Sequence, residues 1–206
     1  MLQCLLRLNI TMTMNKTLII DKTKTALMVI DLQKGIASRE TKPYPANTVV
    51  ENTVKLAKIF RQNNMPVFLV RVSASPDQKD RLSPEADITW SGGSTPMPAD
   101  WDKIVEELGP ESSDIVITKK QWGAFYGTDL DLQLRRRKIE RIVLCGIATN
   151  IGVESTARFA YEYGYSQIFA EDAMSSLSEG EHDHTVNKIL PRIGLVRKTT
   201  DILEAL

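Results

Sequence analysis

Six short apolar, β-branched runs punctuate this chain: TALMVI (25–30), PVFLVRV (66–72), DIVITK (114–119), RIVLCG (141–146), SQIFAE (166–171) and a weaker GLVRK (194–198). A strand with one wet face alternates apolar and polar residues. These runs are apolar nearly throughout, so both faces must be covered, as in a parallel sheet packed between helices. Helical patterns fill the intervals. The alternation predicts an α/β fold, a three-layer α/β/α domain around a six-stranded parallel, Rossmann-like sheet. With 206 residues the chain suffices for one such domain with a full core. Residues 25–206 are assigned to it, and residues 1–24 to an N-terminal extension and lead-in. The opening MLQCLLRLNITMTMNK has no small-residue cleavage site and is too short and polar to span a bilayer. Met14 is an alternative start.

Start and stop signals frame the helices. Asn47 is placed to cap a helix whose Val50, Val54 and Ala57 share one face and which ends near Asn63–Asn64. Thr128 with Asp131, and Ser178 with Glu181, have capping-box spacing. Gly164 ends the helix that follows Gly152, and Pro191 closes the last one. Residues 73–99 are rich in Ser, Pro, Asp and Gly and break the alternation. A loop of that length suits a lid or an interface arm.

Charge excludes some function classes. Lys+Arg and Asp+Glu number 26 each, so nothing favours nucleic acid or an anionic membrane as partner. The dense basic run Arg135–Lys138 falls at a predicted helix end, where cations suit the exposed carbonyls. Two distant cysteines make no disulfide framework, and a cytoplasmic protein is expected.

In open α/β sheets, ligands bind beyond the carboxyl ends of the strands. The first strand ends in Asp31, the third in Lys119–Lys120, and the fourth in Gly146, which leads to Gly152. Asp31 by itself reads more readily as a cap for the next turn than as a functional group. If the three strands are neighbours, a carboxylate, an ammonium and a bare helix start converge. Lys119 would then hold Asp31 ionised in an empty site, and helix N–H groups would favour an anion or developing oxyanion. The segment after the first strand is DLQKG rather than GxGxxG, and neither a phosphate loop nor a GxSxG elbow occurs, so no cofactor is expected. His182 and His184, two apart in EHDH, point to different helix faces. They read as a solvated helix start, not a metal pair.

VIDLQKG, then ITKKQWGAFYGTDL, then LCGIATNIGVESTARFAYEYGY followed by AEDA, resemble the isochorismatase-like, or cysteine hydrolase, superfamily from about Thr25 onward. The resemblance extends in particular to a bacterial hydrolase branch that shares QWGAFYGTDL and TNIGVESTAR. It implies an Asp–Lys–Cys triad in which Asp31 and Lys119 match the first two members. The cysteine position falls at Gly152, leaving the nucleophile position vacant, whereas Cys145 lies inside its strand and reads as a buried structural thiol. Amidases of the superfamily form a thioester, which glycine cannot. Isochorismatases resemble this chain in having glycine there. They cleave a vinyl ether, with the aspartate acting as acid towards the enol-ether carbon. That role needs a protonated Asp31, so burial would have to raise its pKa against Lys119.

A second departure is Ala148, where isochorismatases carry tyrosine. The turn therefore has amidase wording with an isochorismatase vacancy, and isochorismate is an open substrate. The resemblance also implies a cis peptide at Ile147–Ala148 and a homodimer or homotetramer. The 73–90 loop contains no histidine, so a nicotinamidase metal site has no support and no metal is expected. Gln33, Trp122, Phe125, Trp90, Ala148 and Thr149 are candidates to line the substrate pocket, although aromatics after a strand are as often core. Ser155, one turn from Gly152, is the substitute nucleophile to weigh. Three functions stay open: a hydrolase of a small organic molecule through Asp31 and Lys119, a non-catalytic metabolite binder or scaffold, and an amide hydrolase using water or Ser155.

Overall fold

The computed structural model describes residues 18–88 and 98–206. Trp90 with the rest of residues 89–97, and most of the N-terminal extension, lie outside the described residues. Six parallel strands, β1 (Thr25–Ile30), β2 (Val67–Val72), β3 (Ile115–Lys119), β4 (Arg141–Ile147), β5 (Ser166–Ser175) and β6 (Leu195–Arg197), form one sheet. Their order is β3-β2-β1-β4-β5-β6. All six residues of β1 are buried, because strands flank it on both sides and helices cover its faces.

The helices are α1 (Lys34–Ala37), α2 (Ala46–Gln62), α3 (Leu130–Arg136), α4 (Glu154–Glu162), α5 (Glu179–His184) and α6 (Thr199–Glu204). In α2 the buried residues Val49, Val50, Thr53, Leu56, Ala57 and Phe60 recur every three or four positions, a stripe that only a helix presents to a core. Among the described residues no helix is long and apolar enough to cross a membrane.

Several sequence signals at the ends of elements misled. Asn47 lies inside α2, which starts at Ala46 after Pro45; proline's fixed φ, here −55°, leads the chain into the helix without a side-chain cap. Thr128 and Asp131 form no capping box. The Thr128 hydroxyl donates to Ala124 O, and Asp131 accepts from Tyr165 and Arg135. Ser178 does stand at the N-cap of α5, as its spacing predicted, but makes no cap bond through its side chain. Pro191 does not close the last helix. It sits in the first turn of a 3-10 segment, Leu190–Arg192, where its missing N–H is no loss, and α6 follows. Gly164 does end α4, with φ +82°.

The chain builds outward from β1 through β2 to β3, then returns to lay β4 on the other side of β1. The strand order therefore reverses between β1 and β4, where Ile30 pairs with Gly146. This is where a ligand crevice forms in such a sheet.

Candidate active site

Asp31 leaves β1 at that reversal in a left-handed conformation, φ +55°, which aspartate tolerates better than most residues. Its N–H donates to Val70 O and its own carbonyl accepts from Gln33 N, so the backbone on both sides is held. The carboxylate is nearly closed from solvent, with 7% of its side chain exposed.

Lys119 reaches it from β3, across the intervening β2; the two residues are not on neighbouring strands. Its Nζ lies 2.8 Å from Asp31 Oδ2 with 1% of the side chain exposed, and it also donates to Trp122 O. Asp31 Oδ1 is buried and has no hydrogen-bond partner among the described residues. Burial pushes the Asp31 carboxyl above the usual carboxylate range and outweighs the lowering effect of Lys119. The oxygen able to hold or give a proton is therefore the bare Oδ1. Lys120 points elsewhere, to Asp80.

The third wall is the turn after β4. Gly146 has φ +124°, and a Cβ there would lie 2.0 Å from Ile30 O, so only glycine lets β4 close on the end of β1. A cis peptide joins Ile147 to Ala148, as the family resemblance implied. A π-helical turn, Thr149–Val153, then runs into α4. Thr156 clamps the turn from α4 by donating to Gly152 O while accepting from Ala124 N. A Cβ on Gly152 would come 2.9 Å from Asp31 Oδ2, 2.9 Å from Ile30 Cγ2 and 3.3 Å from Lys119 Nζ. Asp31, Lys119 and Gly152 thus meet at one point.

The other candidate residues divide. Gln33 is buried, and its amide is occupied by backbone: it donates to Val72 O and accepts from Val72 N. The Trp122 side chain faces outward, 55% exposed, while its carbonyl holds Lys119. Phe125 packs in the core against the Tyr163 and Tyr165 rings. Ala148 and Thr149 stand on the turn, Thr149 fully buried. Cys145 is a buried free thiol inside β4, pushed up to about 12 by burial. Ser155 is half-buried on α4.

The solvated reading of both histidines is corrected. His184 is exposed, but His182 is buried, with Nδ1 2.9 Å from Thr149 Oγ1 and Nε2 3.5 Å from Glu171 Oε1. The available signal was its place on a stripe with Thr185, Val186 and Leu190, all buried and three or four residues apart. Among the described residues no three His, Cys, Asp or Glu side chains are gathered as a metal cage.

Three comparisons with known proteins bear on the family and the fold. The Isochorismatase domain family matches residues 25–201. The uncharacterized isochorismatase family protein YwoC of Bacillus subtilis (strain 168) is 54% identical over 93% of this chain and 98% of its own length. Its counterpart YecD of Escherichia coli O157:H7 is 51% identical over 88% of this chain and 96% of its own. The solved structure of an isochorismatase family protein from Burkholderia thailandensis superposes with a TM-score of 0.86 at 42% identity, covering 91% of this chain and 97% of that one.

Proposed function

We propose, from the premise that this chain belongs to the isochorismatase family, that it is a cofactor-free hydrolase of a small organic molecule, with Asp31 as general acid and base. Lys119 orients Asp31 through Oδ2. Gly152 stands where cysteine-dependent members of the superfamily carry their nucleophile, so no thioester forms. The observation that carries the reading is the asymmetry of the Asp31 carboxyl: Oδ2 is paired with Lys119, and Oδ1 is buried without a partner among the described residues. Few buried polar atoms are left unpaired, and those that are commonly have a use.

The chemistry that suits such a group is hydrolysis of a vinyl ether. Protonated Oδ1 gives its proton to the enol-ether carbon, leaving an oxocarbenium ion. Water adds to that ion and returns a proton to the carboxylate. The hemiketal then collapses to a carbonyl compound and an alcohol. Burial keeps Asp31 protonated to higher pH than a free aspartate, which is the direction a general acid requires. Turnover should accordingly fall as pH rises through the elevated Asp31 pKa.

Hydrolysis of an amide through Ser155 is less well supported. The buried histidine that could act as its base faces Thr149 instead. The deciding experiment screens small vinyl ethers and amides with the wild type and with Asp31→Asn. Turnover of a vinyl ether that drops by a factor of about 10² to 10⁴ in Asp31→Asn supports the proposal. An Asp31→Asn protein within tenfold of the wild type would sink it.

A further inference from the structure

A second buried polar cluster ends on the same turn. His182 projects from α5 with 1% exposure and joins Thr149 Oγ1 to Glu171 Oε1 of β5. The Tyr44 hydroxyl donates to Glu171 Oε1 at 2.9 Å, and its ring meets the His182 ring edge-on at 5.9 Å. Lys198, just before α6, bonds both Tyr44 Oη and Glu171 Oε2. The remaining charged neighbours point away. Glu181, Asp183 and His184 are exposed on the histidine's own helix, and Glu154 of α4 is engaged by Thr185 and Arg158.

The bonding partners assign the hydrogens. A carboxylate only accepts, so the ring nitrogen facing Glu171 carries the proton. In the neutral ring Nδ1 is then bare, and the Thr149 hydroxyl must donate to it. When the ring takes up a second proton, Nδ1 becomes a donor as well, and the Thr149 hydroxyl has to turn round and accept. Thr149 directly follows Ala148 and lies three residues before Gly152. The bond that anchors the turn therefore reverses its direction with a single proton.

We propose that His182 is a positioning residue: through Thr149 it holds the Ala148–Gly152 turn against Asp31, and its protonation shifts that turn. The role in turnover rests on the reading of Asp31 as the reacting group, while the coupling of His182 to the turn does not. Because protonation of the ring reverses that bond, activity should have an acid limb separate from the loss that Asp31 imposes at higher pH.

Two measurements on the full chain test this. The first is nuclear magnetic resonance across pH 5 to 8. The amide signals of Ala148, Thr149 and Gly152 should titrate with the same midpoint as the His182 ring. They should stop doing so in His182→Gln, and Thr149→Val should move the ring's midpoint by about half a pH unit or more. The chain has only two histidines, so loss of one ring signal in His182→Gln identifies it. Turn amides that ignore the His182 titration overturn the proposal, as does an unmoved midpoint in Thr149→Val. The second is a pH–rate profile with a substrate found in the Asp31 screen. His182→Gln and Thr149→Val should each lower kcat about tenfold, leave KM within twofold and erase the acid limb, and profiles that superimpose on the wild type refute the role in turnover. Should Asp31→Asn stay active, the reading of Asp31 falls while the resonance experiment still decides whether His182 controls the turn.

Discussion

At Asp31 two physical effects oppose one another, and packing decides between them. Lys119 at 2.8 Å favours the ionised carboxylate, yet burial of the pair raises the pKa on balance. That balance depends on the space left by Gly152, because a Cβ there would press to 2.9 Å from Oδ2 and from Ile30 Cγ2. Gly152→Ala must displace the carboxylate or push the turn outward. It should cost about 1 to 3 kcal/mol of stability, as overpacking does, and lower kcat at least tenfold. Urea unfolding and steady-state kinetics check both, and an alanine variant within twofold of wild-type turnover would show that the contact is not tight. Asp31 and the Lys119–Lys120 pair stood out in the sequence because charges at the ends of apolar strands are conspicuous, whereas the choice of Lys119 and of Gly152 came from the family resemblance. His182 did not stand out: among acidic neighbours it looks solvated, and only the packing of α5 against the turn and β5 buries it.

The elements themselves were legible for a similar reason. An apolar run buried on both faces can hardly be anything but an inner strand, so β1, β2 and β4 were found to within a residue. Helix ends depend on single hydrogen bonds with several possible partners, and there Asn47 and Thr128 misled, while Ser178 marks the start of α5 but lacks the side-chain bond of a capping box. The sequence also left open which strands are neighbours, and the site needs β3 at the sheet edge with Lys119 reaching across β2. One contact ties that edge to the helical layer. Arg61 of α2 grips Asp114, just before β3, with Nε and Nη2 bonded to its two carboxylate oxygens at 3.1 and 2.6 Å, and Nη2 also bonds Leu108 O. The aspartate side chain is 1% exposed, so its removal leaves a mostly buried guanidinium with only the exposed Glu111, 2.9 Å from Nη1, as counter-charge. Asp114→Ala should destabilise the protein by about 3 kcal/mol, read from its urea midpoint, and a loss below about 1 kcal/mol would show that the pair is solvated.

Over the whole molecule, the far side of the strand reversal is closed by Glu171, which gathers the segment before α2, the buried histidine of α5 and the lead-in to α6. Burial alone would raise its pKa, but bonds from His182, Lys198 and Tyr44 win and hold it at about 2, against 4.5 for a free glutamate. Because the folded value lies below the unfolded one, the stabilisation is complete above about pH 4.5 and drains away as pH falls towards 2. Asp31 works in the opposite sense, since its raised pKa makes the folded state the better proton acceptor. The two carboxyls would blur a single acid-denaturation curve, so the difference between two proteins is the cleaner quantity. Between pH 6 and pH 3 the wild type should lose on the order of 1 to 2 kcal/mol more than Glu171→Gln, allowing for partial solvent access to the carboxylate. Asp31 and the surface carboxylates are common to both proteins and cancel. Urea unfolding at the two pH values measures the gap directly, and parallel losses would mean that the Tyr44, His182 and Lys198 bonds do not hold Glu171 ionised.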